Sequence, residues 1–169
     1  MHAPPPGVAP TTSRARATRP GLALAAGLML AVTAVPALDD GAARERDATR
    51  ARTLARVSRA LDDHHAATGE LPDHLPDPLA GGWETSVDGH FLDVLVHAGA
   101  LDVRPRDPRN DRAHHLLYRH YPAGTEGSPE PFYVLAVSAL ESDAAPGGPP
   151  AVLGDRDWSA EYPLAILGP

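Results

Sequence analysis

One uncharged apolar run constrains what the rest of the chain can be. Residues 21–38 read GLALAAGLMLAVTAVPAL and contain no charged side chain. Residues 1–20 contain arginines but no acid, and Asp39 and Asp40 follow the run directly. As a helix the run would be about 27 Å long, close to the roughly 30 Å hydrocarbon core of a bilayer. Basic residues before the run and acids after it predict a cytoplasmic N-terminus and an exported remainder.

Two interpretations of this run follow from its length and its flanks. It is either an uncleaved transmembrane anchor or the apolar part of a signal peptide, with a small-residue cleavage site between Ala37 and Leu38. Both interpretations divide the chain into a basic leader (1–20), an anchor or signal segment (21–38) and one extracytoplasmic domain (39–169). The anchor reading predicts a single-pass protein of the inner membrane whose C-terminal domain is periplasmic or extracellular.

Composition excludes several classes of protein. The formal net charge of the 169 residues is -7, with a sequence pI near 5.6. A nucleic-acid partner would require a basic face, so none is expected. The chain has no Cys, which excludes disulfides, thiol catalysis and Cys-ligated zinc.

A long helix is predicted directly after the apolar run. Residues 39–68 contain no Pro and a single Gly, and Gly69 is a natural stop. Residues at three- and four-residue spacing form one mostly apolar stripe: Ala51, Leu54, Val57, Leu61 and His65. The arginines of this helix, Arg46 and Arg50 among them, are expected to lie off that stripe. We expect only the C-terminal half to pack on the domain, with the earlier turns projecting from it.

The remaining elements are short. Asp88 is the expected N-cap of a short helix that stops at Gly99. Residues 115–121 and 132–140 have strand-like composition and are expected to pair as an antiparallel hairpin, and residues 162–167 supply a last strand. The predicted fold class is therefore α+β: a long N-terminal helix packed on a small antiparallel sheet.

The order of these elements resembles the type IV pilins and the type II secretion pseudopilins, especially the major pseudopilin. The resemblance rests on residues 43–73, 91–108 and 133–142, and within the first stretch Ala60, Leu61, Gly69 and Pro72 match the family's pattern. It implies a pilin-like fold, other pilin-like subunits or secretion-machinery proteins as partners, and leader cleavage between Gly21 and Leu22. The acidic residue that follows this site in the family is absent here.

The resemblance also implies a calcium site. In the major pseudopilin a Gly- and Asp-rich loop before a Trp binds the ion, and here such a loop precedes Trp158. Its carboxylates suit a cation that takes six to eight oxygen ligands. Asp155, Asp157 and Asp143 are the predicted ligands, in that order, and the alternative is a solvated acidic turn.

No pattern in the chain indicates catalysis. The His-rich pairs lack the H-E-x-x-H spacing of a zinc site, and no G-x-S-x-G nucleophile motif occurs. We therefore expect a non-enzymatic structural or assembly subunit of a pilus-like or secretion apparatus. The alternative is a secreted or periplasmic ligand-binding domain whose signal peptide has been removed.

Overall fold

The computed structural model describes residues 21–143 and 148–169, with side chains from Asp40 onward. The predicted leader, 1–20, and the side chains of the predicted anchor, 21–38, lie outside the described residues. One compact unit spans Leu38–Pro169. Its helices and strands are α1 (Gly21–Thr68, which begins before the unit), β1 (Glu84–Thr85), α2 (Asp93–His97), β2 (Leu116–Tyr121), β3 (Phe132–Val137), β4 (Val152–Leu153), β5 (Arg156–Asp157), α3 (Trp158–Glu161) and β6 (Leu164–Gly168).

The main sheet has four antiparallel strands in the order β1-β2-β3-β6. The predicted hairpin is confirmed, because β2 and β3 pair from Leu116 opposite Val137 to Tyr121 opposite Phe132. β3 ends at Val137, earlier than predicted, and is buried at every position, as expected for an inner strand covered on both faces. β4 and β5 form a separate two-stranded ribbon.

α1 packs on one face of the sheet through the predicted stripe. Leu54, Val57 and Leu61 are almost fully buried and share a core with Tyr118 and Tyr133. Each such side chain contributes about 1.5–3 kcal/mol on burial. A long helix on a small antiparallel sheet confirms the α+β class.

Helix and sheet are also joined by a polar contact at Tyr133. Its hydroxyl donates to Asp62 Oδ1 across 2.8 Å and lies 3.0 Å from Ser58 Oγ. The tyrosine ring lies over Gly168 of β6, where an added Cβ would come within 2.3 Å of the ring. Gly168 is therefore required by this close approach.

The opposite face of the sheet carries a second, aromatic core. Trp158 is fully buried beside Tyr121 and lies at 6.0 Å from Trp83 between ring centroids. The guanidinium of Arg156 stacks 3.5 Å above the centroid of the Trp158 ring. Such a contact is attractive because the ring face is electron-rich. The short elements β5 and α3 thus cover the second face of the sheet, so that the sheet has a core on each side.

Two local predictions are wrong. Asp88 ends a 3-10 turn, Ser86–Asp88, and accepts a hydrogen bond from Thr85; the cap of α2 is Leu92, in left-handed backbone conformation. The turns of α1 before Leu54 do not project from the domain, because Ala43 and Asp47 are buried. Non-local contacts, absent from any local pattern, hold these turns down.

In the described part of the chain, no helix combines the length and the apolar character needed to cross a membrane.

Candidate functional site

The unexpected feature of the domain is a fully buried arginine on α1. Arg50 precedes Leu54 by one helical turn, so it falls on the face that packs inward, where its side chain has no solvent exposure. The prediction that Arg50 lies off the buried stripe is wrong. An unpaired buried charge would be prohibitively costly, so the partners of Arg50 decide what this position does.

Arg50 is paired on three sides. Its Nε and Nη2 donate to the two carboxylate oxygens of Asp107 at 2.6 and 2.9 Å, a bidentate pair. Nη1 donates to Asp47 at 2.6 Å, and Nη2 also reaches Glu141 at 2.7 Å. Burial acts to lower the pKa of Arg50, but these hydrogen bonds outweigh it and raise the pKa, so the guanidinium is always charged.

Asp47 connects the same group of side chains to the segment after β3. Its carboxylate accepts from Ser142 Oγ at 2.7 Å and from the backbone N–H groups of Ser142 and Glu141 at 2.9 and 3.1 Å. Burial alone would raise the pKa of Asp47, but these donors and Arg50 together lower it. The carboxylate therefore remains ionised and holds the chain that follows the sheet.

Glu141 completes the cluster at its edge. Arg46 Nη2 donates to it at 2.6 Å, and this hydrogen bond is the largest cause that lowers the pKa of Glu141 to about 2. Arg109 lies 3.4 Å from the same carboxylate. We call these side chains the Arg50 cluster: Arg46, Asp47, Arg50, Asp107, Arg109 and Glu141. It contains as many arginines as carboxylates, and they pair with one another. This arrangement suits a role in holding the fold together.

The three predicted calcium ligands occupy different local environments. Asp155 lies in the turn between β4 and β5, whereas Asp157 caps α3, its Oδ1 accepting from Ser159 N at 2.9 Å. The Ser159 hydrogen bond lowers the pKa of Asp157. Asp143 follows the Arg50 cluster at the border of residues 144–147, which the structure does not describe. Within the described ranges, no group of three or more His, Asp or Glu side chains is placed to hold a metal ion. The calcium site stays a prediction.

The predicted processing positions both fall on α1. Gly21 is the first residue of this helix and Leu22 the next, while Ala37 and Leu38 lie within it. Their side chains are outside the described residues, so cleavage at either position stays a prediction.

Sequence reasoning also missed Glu84, which is buried at the start of β1. Its carboxylate accepts from the backbone N–H groups of Leu92 at 2.7 Å and Leu75 at 3.2 Å. Burial raises the pKa of Glu84 despite these donors. Glu84 thus ties the loop before β1 to the start of α2, and no local signal distinguishes it from the exposed acids.

Comparison with known proteins identifies no relative of this chain. No family model, curated protein or solved structure matches this chain.

Proposed function

We propose that this chain is a structural subunit of a pilus-like or type II secretion apparatus, or a membrane-anchored relative of such subunits. One observation carries the proposal: the Arg50 cluster joins the three stretches on which the pilin resemblance rests. Asp47 and Arg50 belong to the first stretch, Asp107 to the second and Glu141 to the third. The cluster thus brings together residues from all three stretches, although they are far apart in sequence.

The mechanical consequence of the cluster supports the same function. The segment of α1 from Asp47 to Leu61 is held by ion pairs at one end and by apolar packing at the other. A subunit that assembles through its N-terminal helix needs that helix to be held firmly by its globular domain. A soluble ligand-binding domain has no such requirement, and a buried ionic cluster is a costly way to gain stability alone.

The mature N-terminus tests the proposal. The full chain is produced in a bacterium with a prepilin peptidase, and the membrane and soluble fractions are sequenced from the N-terminus. Leu22 as the first residue, in the membrane fraction or in sheared filaments, is the expected result. Leu38 as the first residue of a soluble periplasmic protein would overturn the proposal in favour of a secreted ligand-binding domain.

Topology gives an independent test. A reporter enzyme that is active only in the periplasm is fused after Gly99, and a cytoplasmic reporter is fused at the same place. The proposal predicts activity of the periplasmic reporter alone, because the arginines before the apolar run hold the N-terminus inside. Activity of the cytoplasmic reporter alone would contradict it.

A further inference from the structure

An exposed apolar patch lies beside β1. Leu79 is 92 % exposed, Leu75 63 % and Val87 41 %. Leu79 and Val87 line one concavity of about 600 Å³, and Leu75 lines a neighbouring one of about 210 Å³. Large apolar side chains grouped in this way mark an interaction surface more often than isolated ones do.

Carboxylates border this patch. Asp77 and Asp88 line both concavities, and the buried Glu84 lines the smaller one. Arg112 and His115 stand on the wall of the larger concavity. We call this surface, with Leu75, Asp77, Leu79, Val87 and Asp88, the β1-edge patch. Its apolar centre and acidic border suit a partner that presents cations on aliphatic stems.

The chain itself presents such a surface on α1. Arg52, Arg56 and Arg59 recur at four- and three-residue spacing, are exposed, and lie on the side of α1 opposite Leu54 and Val57. Arg52 pairs with Glu45 at 2.8 Å, and Arg59 donates to the carbonyl of Ala55. Arg56, at the centre, makes no hydrogen bond or ion pair among the described residues. We call these three arginines the basic stripe.

We propose that the β1-edge patch of one copy of this chain binds the basic stripe of a second copy. This inference rests on the proposed subunit function and names its neighbour contact. Charge complementarity selects the occupant: Asp77 and Asp88 together outweigh Arg112, so the border around the exposed leucines is net negative where the stripe supplies cations. Because the two surfaces are different regions of the chain, the contact is heterologous and repeats from copy to copy.

Cross-linking of the full chain tests the contact directly. The natural chain contains no Cys, so introduced thiols are the only reactive ones. Arg56→Cys copies are mixed with Leu79→Cys copies in detergent and treated with a short bismaleimide. A cross-linked dimer in the mixture, and none in either variant alone, is expected. Asp102→Cys, exposed on the loop after α2, replaces Leu79→Cys in the matched control and gives no dimer.

Charge reversal tests the complementarity. In the Arg56→Cys with Leu79→Cys assay, Asp88→Arg in the patch copy lowers the dimer yield at least about tenfold, since like charges in contact cost more than a decade of affinity. Arg59→Glu in the stripe copy has the same effect, and the two reversals together restore the yield. Circular dichroism of each variant establishes that it is folded. A yield in folded variants that equals the Asp102→Cys control, or that charge reversal leaves unchanged, overturns the proposal.

Failure of this contact is distinguishable from failure of the proposed function. Leu22 as the mature N-terminus without cross-linking would refute the contact and leave the subunit function in place. Cross-linking in a soluble protein that begins at Leu38 would support the contact and refute the function.

Discussion

Arg50 and Asp107, 57 positions apart in sequence, form a bidentate ion pair in which neither side chain has any solvent exposure. Such a pair contributes little relative to a well-packed apolar pair, yet its disruption is severe because one charge is left buried. The pair therefore specifies how α1 is placed against the loop after α2, and its loss is the sharpest test of the fold.

Replacing Arg50 should be among the most destabilising changes in the domain. Arg50→Ala leaves Asp47 and Asp107 buried without their cation and should cost about 3–5 kcal/mol in free energy of unfolding. Arg50→Lys should rescue only part of this, because an ammonium cannot make the bidentate pair. Chemical denaturation of the full chain measures both. Arg52→Ala, at an exposed ion pair, is the control and should cost about 0–1 kcal/mol; an equal cost for Arg50→Ala would refute the role of the cluster.

Arg46 illustrates how the structure changes a prediction about a surface residue. On a projecting helix, Arg46→Ala would cost at most about 0.5 kcal/mol. Because Arg46 instead pairs with Glu141, whose side chain is almost fully buried, we expect a loss of about 1–2 kcal/mol in free energy of unfolding. Leu61→Ala should still cost more, about 2–5 kcal/mol, by opening a cavity under α1. If Arg46→Ala lowers the melting temperature no more than Arg52→Ala does, the pairing of Arg46 with Glu141 does not stabilise the fold.

The sequence predicted the parts of the fold that depend on local periodicity. Leu54, Val57 and Leu61 reveal the buried face of α1 because a helix repeats every 3.6 residues. The hairpin of β2 and β3 follows from two apolar runs around a loop rich in Gly and Pro. Arg50 was missed because its burial depends on Asp107 and Glu141, 57 and 91 positions away, which no local window contains. The full burial of Trp158 has no local signal either, because the neighbouring strands β4 and β5 are only two residues long.

Acid should unfold the domain through the Arg50 cluster. The pKa of Glu141 is about 2 in the folded state and about 4.3 in an unfolded chain, and that of Asp47 is also lowered by folding. Groups with lowered pKa stabilise the fold above the unfolded value, and this stabilisation is lost as pH falls toward 2. Glu84 acts in the opposite sense, because burial raises its pKa and protonation relieves the buried charge.

Melting temperatures of the full chain between pH 7 and pH 2, followed by circular dichroism, measure this dependence. Glu141→Gln should begin less stable and lose less stability between about pH 4 and 2, since one titrating carboxylate is gone. Glu84→Gln should leave the slope between about pH 4 and 2 nearly unchanged, because the raised pKa of Glu84 places its effect on stability at higher pH. An identical slope in the natural chain and in Glu141→Gln would show that Glu141 does not couple protonation to folding.

Calcium tests the predicted ion site, and the structure determines which substitution is informative. Asp157→Ala removes the cap of α3 and should cost about 1 kcal/mol without any metal, so its effect cannot be assigned to calcium alone. Asp155 lies in a turn, so Asp155→Ala should hardly change the melting temperature in chelator.

If the site binds calcium, millimolar calcium raises the melting temperature of the natural chain. The stabilisation is about 2.7 kcal/mol at a hundredfold excess over Kd. Asp155→Ala abolishes this rise, and magnesium substitutes poorly because it demands a tighter octahedron. Asp63→Ala, exposed on α1, is the control; Asp62 is unsuitable because it accepts from Tyr133. A melting temperature that is the same in calcium and in chelator would leave Asp155 in a solvated turn and remove the calcium site from the resemblance.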